Sequence, residues 1–308
     1  MQSPSHRRKA VQSTPRTPIP PHEPGRYTPT AERPVRAKAR QLDPDTEIQP
    51  HRHPWAQVAI AMTGVTRITA GHNTYLVPTG RAVWIPPDVE HAVTAVEAAD
   101  LRTLYVHQSA DAVGPGVRRD AREAWRRCRV LEVSALLREA VLQMDVARDG
   151  GSSPAPELLA RERLLGELAL DELRRAAPVR LGIALPQDKR LRALCQAVLA
   201  EPTRHATLDA WAAEAGASGR TVARLFRQEL GTSFGPWRQQ VLLAHALTLA
   251  ARGVPMGVIA ADLGYASASA FTAMVRRSVG APPGRFFGKA AARPAVGVAT
   301  SGGLPLPA

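Results

Sequence analysis

Cysteine is almost absent: Cys128 and Cys195 are the two in a chain of 308 residues. That excludes a disulfide framework and zinc-finger spacing, and it fits a reducing cytoplasm. No apolar run reaches the roughly 18 residues a membrane helix needs, so no span is expected. The opening MQSPSHRRKAVQSTPRTPIPPHEPG has no apolar core of the kind a secretory signal carries. Negative charge is also in short supply, with 27 Asp and Glu against 40 Lys and Arg, for a net charge of +13. The excess is local. Residues 1–40 hold nine basic and two acidic residues, 188–289 hold thirteen and six, and 41–187 are close to neutral. A basic segment beside a neutral one points to a polyanion partner for the basic part, or merely to a solubility charge.

Residues 1–40 are rich in Pro, Arg, Ser and Thr and too poor in apolar surface to offset ordering entropy, so a disordered arm is expected there, with a second disordered tail at 290–308. Over 41–116 the pattern is strand-like. QVAIAMTGVTRITAG, NTYLVPTGRAVWIPPDVEHAVTAV and LRTLYVHQ mix β-branched and aromatic residues with Gly and Pro turns, which predicts a small barrel or sandwich. After Gly116 the period becomes helical. Ser134 to Arg148 places Leu136, Leu137, Val141 and Met144 on a stripe, and 157–176 forms a second helix with Leu158, Leu165, Leu168 and Leu173. This pair, within a helical segment 117–182, either forms a dimer surface or covers the sheet. From Asp188 on, helices are predicted at 189–200, 208–215, 219–230, 234–251, 256–263 and 268–279, with a short turn near 283–287.

In LDAWAAEAGASGRTVARLFRQELG, 208–231, Gly216 suits a left-handed helix end and Ser218 can cap the next helix. Val222, Leu225 and Phe226 then face inward, and Arg220, Ala223, Arg224 and Arg227 face out. The arrangement recurs in PMGVIAADLGYASASAFTAMVRRSVG, 255–280, with Pro255 at a helix start, Gly264-Tyr265 at the turn and Ser267 as cap. There Phe271, Met274 and Val275 face in, while Ala268, Ser269, Thr272, Ala273 and Arg276 lie outward or at the edge. Between the two units, 234–252 is apolar nearly all round beyond Val241, as befits a helix gripped from both sides. Its length, roughly 28 Å at 1.5 Å per residue, can set two recognition helices close to one DNA turn apart.

On these residues, 188–288 resembles the DNA-binding domain of AraC/XylS-family transcription regulators. The matching stretches are SGRTVARLFRQELGTSFGPWRQQ and IAADLGYASASAFTAMVRRSVGAPPGRF, including Gly280 and Pro282-Pro283. The resemblance implies that Arg220, Ala223 and Arg224 take base-reading positions in the first recognition helix, and Ala268, Ser269 and Ala273 in the second. Arginine can grip guanine O6 and N7 in a bidentate contact, whereas alanine reaches only a thymine methyl. Strong readout by the first helix and weak readout by the second follow. Arg227, Arg238, Arg276 and Arg277 are candidates for phosphate contacts or for a solvated face. The chain departs from the family at Leu242, where relatives often carry an arginine.

The segment 51–95 resembles a cupin barrel. His51-Arg52-His53, Gln57 and Gly64 follow the first cupin motif, and Gly80, Pro86-Pro87-Asp88 and His91 the second. Gln57 stands for the usual Glu, and Asp88 for the usual Gly. Residues i and i+2 of a strand share a face, so His51, His53 and His91, with Gln57 alongside, can offer three nitrogens to a divalent ion such as Zn, Ni, Fe or Mn. Three readings stand: a metal-dependent enzyme such as a dioxygenase, a small-molecule sensor with or without metal, or histidines that serve only as structural hydrogen-bonders. Trp55, Trp84 and Tyr105 are candidate pocket walls. A promoter-binding module (183–289) tethered to the barrel favours the sensor. The expected architecture is multidomain, with an N-terminal cupin-like β-barrel plus helices and a C-terminal all-α domain of tandem helix-turn-helix units. The expected protein is a non-enzymatic cytoplasmic regulator that binds double-stranded promoter DNA and a small-molecule effector, with RNA polymerase and a second copy of the chain as further partners.

Overall fold

The computed structural model describes residues 16–21, 26–71, 73–109, 114–117, 121–144, 154–179, 181–279 and 282–286. The expected tail at 290–308, Gly280 and the last residues of the 134–148 helix lie outside these. The N-terminal part is two facing six-stranded sheets. One runs β1 (Thr17–Ile19), β3 (Thr46–His51), β8 (His91–Ala95), β5 (Val65–Ala70), β6 (Asn73–Pro78), β12 (Gly182–Ala184). The other runs β11 (Pro178–Val179), β10 (Arg129–Glu132), β7 (Arg81–Ile85), β4 (Ala56–Thr63), β9 (Ala99–Val106), β2 (Val35–Leu42). Neighbours are antiparallel except β1 and β3, which pair in parallel.

The run AQVAIAM in β4 is apolar on both faces because both are covered. Ala59 and Ala61 point between the sheets, toward Ile68, Val93 and Leu101. Val58, Ile60 and Met62 point the other way, into a second core with Trp84, Leu104, Leu137 and Leu173. That outer core is roofed by α2 (Ala135–Leu142) and α3 (Pro156–Arg175), which follow the single-turn α1 (Arg122–Trp125). A buried carboxylate ties the roof down. Glu162 on α3 accepts hydrogen bonds from Arg33 Nε (2.9 Å) and Nη2 (2.5 Å), and Arg36 Nε of β2 lies 3.6 Å away. Leu137, Val141 and Met144 face inward as expected, while Leu136, Leu158 and Leu164 lie on the outer surface.

Several boundaries differ from the sequence expectation. The arm over 1–40 is not uniformly irregular, because β1 and most of β2 belong to the sheets. The strand VRAKARQL alternates small apolar residues with cations, and its cations turn inward. The barrel also extends beyond residue 116: β10 joins one sheet, and β11 and β12 form sheet edges, so the linker VRLGIALPQD contributes strand residues at Val179 and Gly182–Ala184.

The C-terminal helices are α4 (Lys189–Ala200), α5 (Leu208–Glu214), α6 (Gly219–Leu230), α7 (Phe234–Ala251), α8 (Met256–Asp262), α9 (Ala268–Val279) and α10 (Pro283–Phe286). Their limits fall within a residue of the predicted ones because the end signals are local. Ser218 Oγ accepts from Thr221 N, Ser267 Oγ accepts from Ala270 N, and Gly216, Gly231 and Gly264 all take positive φ. Pro255 serves as the N-cap of α8 rather than its first helical residue. Leu242, at the family's frequent arginine position, is buried with Leu243, Ala246 and Leu247, and so packs where an ion pair would otherwise sit.

The two parts share structure. Ile183 of β12 sits in one core with Trp211, Phe226 and Trp237, while β12 pairs with β6 of the barrel. Trp237 Nε1 of α7 donates to the Ala184 carbonyl (2.7 Å), and Arg252 at the end of α7 pairs with Glu97 between β8 and β9.

Candidate effector site and DNA interface

Each recognition helix has one buried and one free face. In α6, Val222 and Phe226 are buried against Trp211, Phe234 and Trp237, and Arg220, Arg224 and Arg227 are exposed, with Ala223 partly so. In α9, Phe271, Met274 and Val275 are buried, leaving Ala268, Ser269, Ala273, Arg276 and Arg277 exposed and Thr272 half-buried. Arg224 Nη1 donates to Gln228 Oε1 (2.8 Å) one turn on, which orients its guanidinium along the outer face. Gly219 opens α6 against the Asp209 carboxylate of α5, which a Cβ there would displace. Arg238 is not a free phosphate ligand: its Nε and Nη2 both donate to the Pro202 carbonyl (3.2 and 2.9 Å).

The structure brings the cupin-motif residues together. Ligand nitrogens of His51, His53 and His91 lie within 4.8 Å of one another. Asp88 adopts φ +60°, the left-handed conformation that the usual glycine takes without strain, and its N–H donates to the His53 carbonyl (2.9 Å). The tautomers follow from the partners. His51 Nδ1 faces the Gln49 carbonyl, His53 Nδ1 that of Trp55 and His91 Nδ1 that of Val89, each at 2.8 Å. A carbonyl only accepts, so each Nδ1 carries the proton and each Nε2 presents a lone pair. Burial lowers the pKa of all three, that of His91 to about 3, with the neighbouring imidazoles adding to the effect at His51 and His91. They are neutral, ligand-competent imidazoles at pH 7.

Gln57 Oε1 lies 3.0 Å from His53 Nε2 and 3.3 Å from His91 Nε2. Oxygen and both nitrogens are then all acceptors. Either the amide turns so that its NH2 donates to both rings, or a cation sits among the lone pairs. The donor set fits a divalent ion, with backbone carbonyls orienting each ring as outer-shell partners do.

Of the candidate pocket walls, Trp55 stacks on the His53 ring (centroids 4.9 Å apart) and Tyr105 meets that ring edge-on. Trp84 does not line the pocket. It lies in the outer core, where its Nε1 donates to the Trp125 carbonyl (2.9 Å). Beside the histidines is a cavity of about 20 Å³ bounded by Lys38, Arg40, Ile48, His51, Gln57, Val93, Leu101, Thr103 and Tyr105.

Residues 33–169 match the family model of the AraC-like ligand binding domain, and residues 211–289 that of a helix-turn-helix domain. The chain is an AraC-family transcription regulator. It is 28% identical over 239 residues to the HTH-type transcriptional regulator NimR of Escherichia coli, covering 78% of this chain and 82% of NimR. The arabinose operon regulatory protein of Salmonella typhimurium is 30% identical over 140 residues, 44% of this chain and 48% of that one. Among solved structures, ToxT of Vibrio cholerae aligns over 82% of this chain and 98% of its own, at 9% identity and a TM-score of 0.33. This AraC-family chain therefore has a cupin-like ligand-binding domain and a DNA-binding domain, and its relatives are regulators. No helix among the described residues is long and apolar enough to cross a membrane.

Sequence reasoning missed Lys38 and Arg40, which it placed in a disordered arm. The signal was present as a cation at every second position of VRAKARQL, a strand period of two.

Proposed function

We propose that this regulator reads operator bases chiefly through Arg220 and Arg224 of α6. In this reading Ala223 contributes at most a methyl contact, and α9 adds shape and phosphate contacts through Ala268, Ser269, Thr272, Ala273 and Arg276. Arg227, Arg276 and Arg277 bind phosphate. The observation that carries the reading is that both recognition helices keep a solvent-exposed outer face while the intervening α7, roughly 27 Å long at 1.5 Å per residue, is buried over most of its surface. Two readers held on one rigid spacer suit successive major grooves.

The barrel is the sensor, binds a small-molecule effector and has no catalytic role. His51, His53 and His91 would hold a divalent ion, with Gln57 beside them. Such an ion would supply a fixed positive charge to an effector oxygen. Exposed Leu136 on α2 and Leu164 on α3 offer apolar contacts to a second copy of the chain. The regulator works in the cytoplasm and contacts RNA polymerase at its promoters.

Selection of bound fragments from genomic DNA tests the first part. A shared sequence motif, bound with an affinity that falls linearly as log salt rises, is the expected result; fragments without a common motif would overturn sequence-specific reading. Elemental analysis of tag-free protein tests the second. Near-stoichiometric metal, lost in His53→Ala and retained more strongly in Gln57→Glu, is expected. Protein that is metal-free yet responds to effector would remove the ion from the mechanism.

A further inference from the structure

Resting on the sensor reading and on the ion site proposed with it, the register of the sheet says what the regulator reports. His51 of β3 and His91 of β8 are cross-strand partners. His91 pairs in turn with Ala70 of β5, Ala70 with Asn73 of β6, and Asn73 with Ala184 of β12. Each of the five is a terminal residue of its strand. Cross-strand partners lie opposite one another on one face, so the five form a single row along one rim of the sheet. The row crosses four strand spacings, roughly 19 Å at about 4.8 Å each. One end holds two of the three clustered histidines. The other is the residue whose carbonyl accepts from Trp237 Nε1 of α7 (2.7 Å).

The cluster also ties the two sheets together. His51 and His91 belong to one sheet, Gln57 of β4 to the other, and His53 lies in the crossing between β3 and β4. Gln57 Oε1 is within reach of both His53 Nε2 and His91 Nε2. An ion among these donors favours arrangements in which both sheets hold this rim in place, and a ligand shifts an equilibrium only through such a preference. The adjoining cavity of about 20 Å³ is one or two water-sized sites at about 10–15 Å³ each, room for an ion with a water or two. The donors are imidazole nitrogens and an amide oxygen. Imidazole suits zinc, nickel, copper or iron, whereas magnesium and calcium take carboxylates, carbonyls and water. We infer that the ion is itself a signal: occupancy of the three-histidine site by a divalent transition metal, with no organic molecule bound, changes operator affinity, and the row from His51 to Ala184 carries the change to α7.

Fluorescence anisotropy of the metal-stripped full chain on selected operator and scrambled duplexes, with zinc or nickel chloride added and magnesium or calcium chloride as controls, tests this. Zinc or nickel should change operator affinity by at least about fivefold, the low end of coupling between sites, and magnesium and calcium should not. His53→Ala should abolish the response. Gln57→Glu should move the half-maximal response to a lower metal concentration, a shift that loss of folding cannot produce. Trp237→Phe should bind zinc as tightly by calorimetry and respond less. Metal that binds without altering operator affinity would overturn the inference and leave the ion site standing, and absence of metal binding would remove both. An organic molecule that alters operator affinity in the presence of a chelator, where zinc and nickel alone do not, would overturn the inference and leave the sensor reading. A response that magnesium reproduces, that survives in His53→Ala or that Trp237→Phe leaves whole would also overturn it.

Discussion

Truncating Arg224 discriminates between base reading and simple charge attraction. Arg224 is exposed on α6, and its guanidinium is held to Gln228 by a bond that a base edge would replace in the proposed readout. A bidentate arginine–guanine contact is worth about 1–3 kcal/mol of discrimination, which corresponds to about 5- to 150-fold in affinity at 25 °C. Arg224→Ala should therefore weaken binding to the selected operator by that factor and leave a scrambled duplex almost unaffected. If Arg224 touched phosphate instead, both duplexes would lose equally and the slope of log K against log salt would fall by about 0.9. Ser269→Ala on α9 removes one hydroxyl and should cost no more than about twofold, since α9 otherwise presents Ala268 and Ala273 to the groove. Fluorescence anisotropy with labelled operator and scrambled duplexes across several salt concentrations reads all of these. Equal losses on both duplexes for Arg224→Ala, or a larger loss for Ser269→Ala than for Arg224→Ala, would refute the assignment of readout to α6.

Three predictions concern stability. Glu162→Gln leaves Arg33 and the buried Arg36 without their carboxylate. Breaking such a pair costs about 3–5 kcal/mol, so calorimetry should show a Tm lower by about 6–20 °C at about 2–4 °C per kcal/mol; a shift under about 2 °C would contradict it. Gly64→Ala places a Cβ 2.2 Å from the Ala98 carbonyl at φ +72°, whereas Gly71→Ala meets nothing within 4 Å at φ +56°. Denaturant titration should show Gly71→Ala costing about 1–2 kcal/mol from backbone strain alone, with Gly64→Ala clearly worse; equal losses would deny the close approach at Gly64. His245 on α7 has its pKa lowered, first by burial and then by Arg252. The unfolded chain thus binds this proton more readily, and stability falls as pH drops below about 6.5. His245→Gln should flatten the stability–pH profile between about pH 7 and 5, and an unchanged slope would show that the ring is neutral in neither state more than the other.

How much could be read from the sequence depended on the range of the forces involved. The helices from Lys189 onward were legible because caps, left-handed glycines and apolar periodicity act within a few residues, as at Ser218, Gly231 and Ser267. His51, His53 and His91 were legible as a cluster from motif spacing, although β3 ends at His51 and His53 lies just beyond it rather than on its alternating face. What escaped depends on distant partners. The three residues of β12 carry no strand signal of their own and become a strand only against β6, about a hundred residues earlier in the chain. The cations of β2 looked like a solvated arm because Tyr105 and the Glu162 carboxylate, which receive Lys38 and Arg36, lie on β9 and α3. Trp84 was placed on the pocket because composition cannot tell which face of β7 a residue occupies; pairing with β4 and β10 sends it to the outer core.

The shared strand bounds how an effector can act. Val93 lines the cavity on β8, and hydrogen-bonded pairing runs from β8 through β5 and β6 to β12, whose Ala184 carbonyl holds Trp237 of α7. Swinging the DNA-binding helices away from the barrel must either strip β12 from β6 or break the Trp237 bond, and it also opens the Arg252–Glu97 pair. An internal hydrogen bond contributes about 0.5–1.5 kcal/mol net and an exposed ion pair about 0–1 kcal/mol, so releasing the Trp237 bond and the ion pair costs about 0.5–2.5 kcal/mol. An effector can drive that change only through unequal affinity for the two arrangements. A hundredfold preference supplies about 2.7 kcal/mol, enough to exchange one arrangement for the other. Detaching β12 as well adds the ladder bonds of three register pairs and the burial of Ile183, which exceeds what such a preference provides. The expected route of coupling is then a small shift of α7 on an intact β6–β12 edge, and Trp237→Phe, which removes one bond from that edge, should change effector sensitivity more than it changes operator affinity in the absence of effector.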